Sequence, residues 1–270
     1  MAADDEAFRE RVDGLIAALR ATRKYRHLCD DILAWAAVTA LERQPNDRAA
    51  LKFAKRKLHQ AFGSFVADRK RLLGALREAA DAETDDRFRE ALREALRHHA
   101  STHERGDALA ELWDCLRAAV PGPLDSVLDL GCGAAPAALP WSGLPAEVVY
   151  RGVDLDEELG LALTDALRPR FPNVTIATAD ARQVEAWPRV DVAVLAKLLP
   201  TLERQEPGSA SRLVARLDAG LVVATFPTQS LGGRDRGMAE SYRTLAQAVL
   251  GPGTSLTVAG ELVYLSRRTP

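Results

Sequence analysis

The chain has 270 residues, 47% hydrophobic and 27% charged, with a formal net charge of −2. That composition supplies a packed core at ordinary charge density, and its slight acidity argues against indiscriminate binding to nucleic acid. No apolar run approaches a membrane span, the acidic start Asp4-Asp5-Glu6 lacks a secretory signal's basic region, and three cysteines without CxxC spacing (Cys29, Cys115, Cys132) suggest neither disulfide framework nor zinc site, so a reduced, cytoplasmic setting is expected.

From Asp4 to Val120 the apolar residues recur with helical spacing. Phe8, Val12, Leu15, Ile16 and Leu19 mark one face; Phe88, Leu92 and Leu96 mark another. Thr84 is a plausible helix start, with Asp85 and Asp86 in the first turn and Arg97, His98 and His99 near the end, the order the helix dipole favours. A basic segment holds Arg48, Lys52, Lys55, Arg56, Lys57, Arg69, Lys70 and Arg71, with only Asp68 opposing. On a helix Arg48, Lys52, Lys55 and Arg56 share one face, and Leu51, Ala54, Leu58 and Phe62 another. This is either the solvated side of an amphipathic helix or a phosphate-contacting surface whose affinity falls steeply with salt. His99 and His103 have the spacing of a metal pair, yet no acidic or Cys partner is evident. They read as a surface pair, and no metal is expected.

The character changes at Pro121-Gly122-Pro123. Apolar runs at 126–131, 148–154, 173–178, 190–196 and 220–226 alternate with helical stretches, which predicts parallel strands with helices on both faces. Two further runs, 254–259 and 261–266, are separated by about Gly260 and must close as an antiparallel hairpin. The first strand, Val127 to Leu130, ends in Gly131-Cys132-Gly133, with Pro136 placed to open a helix. Such a strand, Gly-x-Gly and helix unit brings bare backbone N–H groups against a nucleotide-like ligand. Asp154 ends the second strand, where a carboxylate can hold two ribose hydroxyls. Asp180 follows the third strand and is either a contact for an adenine edge or the N-cap of a helix starting at Ala181. Asp129 within the first strand, the missing third glycine and the terminal hairpin tilt the choice to S-adenosylmethionine (SAM) over NAD. The expected fold class is therefore α/β, a Rossmann-like class I SAM-dependent methyltransferase sheet with a terminal antiparallel hairpin. An all-helical N-terminal domain (1–104) precedes the cofactor domain (105–270). Lys197, at the end of the fourth strand, either reaches solvent along its stem or faces the site.

Several phrases together resemble a family of aminoglycoside-resistance methyltransferases that act on N7 of a decoding-site guanine (guanine 1405) in 16S rRNA. They are Ser101-Thr102-His103-Glu104-Arg105, the turn Gly131–Pro136, Pro140-Trp141-Ser142-Gly143-Leu144-Pro145-Ala146-Glu147, Lys197-Leu198-Leu199-Pro200, Thr225-Phe226-Pro227-Thr228-Gln229-Ser230-Leu231-Gly232, Gly237-Met238 with Tyr242, and Glu261-Leu262-Val263-Tyr264. Weaker similarity lies in Arg23-Lys24-Tyr25 and Leu58–Gly63. The resemblance implies an rRNA-docking helical domain ahead of the SAM domain. It implies that Arg105 holds the methionine carboxylate, that Gly131 and Gly133 line the cofactor, and that Asp154 with Leu155 takes the ribose. Asp180 with Ala181 would take the adenine end, and Lys197 and Gln205 would lie close to the cofactor or target base. Lys197 is the candidate for positioning that base. The loop 225–238, with Arg234 and Arg236, would border the target pocket and join the basic segment in meeting RNA. The implied partner is 16S rRNA within the 30S subunit, met by a monomer with no membrane contact. Ala135 in place of Asn, Gln229 in place of Lys and His103 in place of Lys or Arg depart from the family pattern and bear on substrate affinity more than on fold. The rival readings are a SAM methyltransferase with another RNA or small-molecule substrate, a non-catalytic rRNA-binding relative and, more distantly, an NAD oxidoreductase.

Overall fold

The computed structural model describes residues 2–63, 68–105, 109–227, 238–258 and 260–268. The first half is helical: α1 (Ala2–Arg20), α2 (Asp30–Arg43), α3 (Asp47–Leu58), a π-helical turn (His59–Gly63), α4 (Arg69–Ala80), α5 (Asp85–Arg97), α6 (Ala100–Arg105) and α7 (Leu109–Ala119). Short polar side chains start three of these helices by accepting a backbone N–H of the first turn: Asn46 from Ala49, Asp68 from Arg71 and Thr84 from Arg87. The expected faces pack as read. Leu15 and Leu19 are buried with Phe8, Val12 and Ile16 against them, and Phe88, Leu92 and Leu96 are buried on α5.

The core divides elsewhere than at the expected 104/105 boundary. Helices α1–α3 bury Leu19, Ile32, Leu33, Leu58 and Phe62 among themselves. Helices α4 and α5 instead join Leu72, Leu76, Phe88 and Leu92 to Val127, Leu139, Tyr150 and Leu163 of the sheet half. The separation therefore falls between Phe62 and Leu72. Composition hides it because both groups of helices carry an apolar face; only their partners differ.

The sheet half matches the expected strands within one residue: β1 (Ser126–Leu130), β2 (Val149–Asp154), β3 (Val174–Thr178), β4 (Val190–Ala196), β5 (Ala219–Pro227), β6 (Thr254–Val258) and β7 (Glu261–Arg267). Their order is β3-β2-β1-β4-β5-β7-β6, with β1 to β5 parallel, β7 antiparallel to β5 and β6 antiparallel to β7. β1 lies between β2 and β4, so the chain winds outward in both directions from it. The crevice at the strand ends beside β1 is where such sheets hold ligands. Helix α8 (Glu157–Leu167) lies between β2 and β3, α9 (Leu199–Gln205) and α10 (Ser209–Val214) between β4 and β5, and α11 (Met238–Leu250) between β5 and β6.

Two local expectations are corrected. Pro136 sits at the second position of a 3₁₀ helix (Ala135–Trp141) instead of opening an α-helix, because Pro140, four residues on, supplies no N–H to an α-helical ladder. The β3–β4 connection carries no helix, so Asp180 is not a helix cap. Its carboxylate accepts the Arg182 N–H at 3.0 Å and closes a turn.

Candidate functional site

The ends of β1 to β4 open into a cleft of about 840 Å³, counting its mouth. Gly131, Gly133, Asp154, Leu155, Asp180, Ala181, Lys197 and Gln205 all line it. Arg105 closes α6, and its side chain lies outside the described residues, as do Arg234 and Arg236. At the floor, the N–H groups of Gly131 and Cys132 both donate to the Val153 carbonyl, at 2.8 and 3.1 Å. Gly131 and Gly133 have φ of 68° and 51°. A Cβ on Gly131 would come within 3.0 Å of Leu198 Cδ1, and one on Gly133 within 2.6 Å of His99 Cε1. The turn therefore needs glycine both for its left-handed backbone and for space, and it presents bare backbone to the cleft.

Asp154 receives the Gly133 N–H at 2.8 Å on Oδ2 and the Asp156 N–H at 3.2 Å on Oδ1. Burial, helped by the Asp156 charge, pushes its carboxyl up to about 6 against the pull of those donors. A desolvated carboxylate at the rim of a cleft is suited to receive two hydroxyl donors, so this site fits the ribose of a nucleoside cofactor. Within β1, Asp129 is buried and accepts the Tyr150 hydroxyl at 2.5 Å, fixing β1 to β2 beneath the turn.

Lys197 does not run out to solvent. Its ammonium lies 2.9 Å from Glu261 Oε1, with both side chains about nine-tenths buried. It is the one non-glycine with positive φ (56°) among the described residues, and its N–H donates to the Thr225 carbonyl at 2.9 Å. A left-handed lysine is a costly way to leave a strand, and such strain collects at functional sites. Phe226, which follows Thr225, is fully buried and stacks on Tyr242 with ring centroids 5.0 Å apart.

The helical half supplies part of the wall, which the sequence did not signal. Ile32 from α2, Phe62 from the π-helical turn and His99 all line the cleft. His99 is 5% exposed, so the reading of His99 and His103 as a surface pair is corrected: only His103 is exposed. His98 ends α5 and α6 begins at Ala100, and the reversal between them turns His99 inward onto Gly133. Among the described residues no cluster of three or more His, Cys, Asp or Glu could hold a metal ion.

The basic segment splits in two. Arg48, Lys52 and Arg56 lie exposed on α3, and Lys55 and Lys57 are half-buried. The Arg56 guanidinium and the Lys57 ammonium lie 5.1 and 5.8 Å from the Phe53 ring centre. Lys70 and Arg71 are exposed at the start of α4, Arg71 within 3.6 Å of Asp68. Arg69, expected beside them at RNA, turns inward. Its guanidinium holds Asp156 Oδ1 at 2.9 Å and Glu158 Oε2 at 2.8 Å. Asp156 is fully buried, and a buried carboxylate demands a paired cation, which removes Arg69 from the surface set.

The model of the ribosomal RNA methyltransferase (FmrO) family matches residues 21–251. A 16S rRNA (guanine(1405)-N(7))-methyltransferase of Micromonospora echinospora is 32% identical over 96% of this chain and 97% of its own. One of Micromonospora olivasterospora is 38% identical over 90% of this chain and 82% of its own. The crystal structure of the 16S rRNA methyltransferase RmtF with S-adenosyl-L-homocysteine superposes with a TM-score of 0.83 at 31% identity, covering 96% of this chain and 99% of that one. No helix among the described residues is long and apolar enough to cross a membrane. With its sheet order, its glycine turn and its strand-end carboxylates gathered at one cleft, the chain belongs to the FmrO family of SAM-dependent ribosomal RNA methyltransferases.

Proposed function

We propose that the protein transfers the methyl group of SAM to N7 of guanine 1405 in 16S rRNA, within the assembled 30S subunit, and so blocks aminoglycosides that bind the decoding site. The relatives of matching length act on that atom. The observation that carries the reading is the convergence of eight cofactor-facing residues on one cleft, with an exposed basic α3 in the same chain. SAM, when bound, supplies an electrophilic methyl on a sulfonium. Asp154 would hold the ribose hydroxyls, the Gly131–Gly133 turn would leave room for the methionine portion, and Arg105 would pair with its carboxylate. Asp180 and Ala181 would flank the adenine, while Leu155 and Gln205 complete the walls.

Guanine N7 carries an in-plane lone pair and no proton, so its attack on the methyl needs no general base. Displacement by N7 at that methyl would release a neutral thioether and leave the positive charge on the methylated guanine. The work left to the side chains is alignment and exclusion of water. Lys197, held by Glu261 at the end of β4, would orient the target base. The guanine lies in structured RNA, so the nucleotide must be drawn out to meet the cleft. Helix α3 and the start of α4 form the docking surface, with Arg48, Lys52, Lys55, Arg56, Lys57, Lys70 and Arg71 meeting phosphates and Arg234 and Arg236 assisting. The protein works as a monomer in the cytoplasm and needs no metal.

Transfer of labelled methyl from SAM to purified 30S subunits, with naked 16S rRNA alongside, tests the substrate. Label on subunits alone is expected. Label on naked RNA alone would assign a different substrate, and label on neither while the cofactor still binds would assign a different substrate or a non-catalytic relative.

A further inference from the structure

Neither acidic loop of the cleft stands alone; each is fastened from behind by the α1–α3 unit or the start of α4. Beneath the ribose loop, Leu28 and Asp156 form a short antiparallel bridge: Cys29 N–H donates to the Leu155 carbonyl at 2.9 Å, and Glu157 N–H to the His27 carbonyl at 3.0 Å. Asp156 also caps α8 through the Leu159 N–H at 3.0 Å and receives the Arg69 guanidinium. Behind the adenine loop, Arg182 Nε reaches both Asp180 carboxylate oxygens at 3.0 and 3.1 Å, and its guanidinium lies 4.2 Å from the ring centre of Trp35 on α2. Trp35, Arg69, Asp156 and Arg182 do not line the cleft, yet Leu155 and Asp180, which they hold, do.

We propose that Trp35 with Arg182, and Arg69 with Asp156, are positioning residues for the cofactor, so that the α1–α3 unit is a working part of the SAM site and not only a docking appendage. The reasoning is geometric. A loop that must present a carboxylate or a backbone group to a nucleoside gains affinity when it is fixed before the ligand arrives. The β3–β4 connection lacks a helix to hold it, and the Arg182 guanidinium, hydrogen-bonded to the Asp180 carboxylate and lying over the Trp35 indole, takes over that task. The β2–α8 connection is tied to the first half by two backbone hydrogen bonds and one buried ion pair. By linkage, whatever shifts α1–α3 must alter cofactor affinity, and cofactor must alter the placement of α1–α3 by the same factor. The inference rests on the cleft being the SAM site.

The test is calorimetric binding of S-adenosyl-L-homocysteine to the full chain, with amide hydrogen exchange and thermal melting measured on the same samples. Trp35→Leu is expected to weaken binding about tenfold while the chain stays folded, with faster exchange at residues 180–183. Arg182→Met is expected to do the same, and the double variant to lose little more than either alone, as coupled residues do. Arg69→Ala is expected to weaken binding and speed exchange at 154–157, with partial rescue by Arg69→Lys. If Arg69→Ala fails to fold, Trp35→Leu and Arg182→Met carry the test, because Trp35 is only half-buried on α2 and methionine keeps the unbranched apolar stem of the buried Arg182. Affinity within twofold of the parent in both of those variants, with the fold intact, would overturn the inference. Failure of the parent chain to bind S-adenosyl-L-homocysteine would instead refute the cofactor reading beneath it.

Discussion

Helices α1–α3 and helices α4–α5 look alike in sequence, yet they belong to different bodies of apolar packing. The first three close on themselves through Leu19, Leu33 and Leu58, while α4 and α5 lend Leu72, Leu76 and Leu92 to the sheet. Two polar contacts join the two bodies, a two-rung backbone bridge at Leu28 and the indole over Arg182, beside the Leu155 side chain packed on the α1–α3 core. Apolar packing therefore decides which helices stand with the catalytic sheet, and directional contacts decide how the remainder leans on it. Polar junctions of this type are suited to transmit small displacements, because each breaks or forms at a distance of a few tenths of an ångström.

The largest expected effect on cofactor binding comes from the glycine floor of the cleft, where Gly133 meets His99. Gly133→Ala should drive a Cβ into His99 and weaken S-adenosyl-L-homocysteine at least a hundredfold, on the order of 3 kcal/mol, read by calorimetry. Next come the two cores. Leu92→Ala and Leu33→Ala should each cost about 2–5 kcal/mol. Hydrogen exchange should place the loss from Leu92→Ala in the sheet half and that from Leu33→Ala in α1–α3. A loss spread equally over both bodies in either variant would break the division.

Acidity sharpens the comparison from the cofactor side. Folding raises the Asp154 carboxyl from 3.8 to about 6, so the protonated form is the one folding favours. Its contribution to the stability of the ligand-free chain is present below about 3.8 and is lost as pH rises through about 6. Ribose hydroxyls need the carboxylate as acceptor, so cofactor affinity should run the other way. It should fall about tenfold per pH unit below 6, and Asp154→Asn should bind weakly without that slope.

The basic residues give smaller and separable effects. Lys52→Glu with Arg56→Glu should weaken binding to 30S subunits about tenfold, flatten its salt dependence and leave S-adenosyl-L-homocysteine binding unchanged. Arg71→Ala should change thermal stability by less than ~0.5 kcal/mol, because its pairing with Asp68 is exposed.

The sheet was legible in the sequence because its signals are local. Apolar runs such as Val190–Ala196 are bounded by turn residues, and the single glycine between the last two strands forces a hairpin. The cleft was legible for the same reason: Gly131, Gly133, Asp154 and Asp180 stand at strand ends, where position along the chain fixes position in the sheet. Contacts made across the chain were not legible. Arg69 sits in a run of cations and reads as surface until Asp156, 87 residues away, is seen to need it. Lys197 reads equally as a solvent-seeking stem or a site residue until Glu261 arrives on β7, and His99 reads as exposed until the α5–α6 junction turns it onto the glycine floor. In each case a buried partner decided the outcome, and no periodicity encodes the partner.

The most direct test of the account is base mapping. 30S subunits incubated with the protein and SAM should yield 16S rRNA that borohydride and aniline, which cleave at N7-methylguanine, cut at guanine 1405. Cleavage there, dependent on SAM and abolished by Gly133→Ala, is the predicted result. Methyl incorporated into the subunit without cleavage at that guanine would contradict the central claim and move the target to another atom or another base.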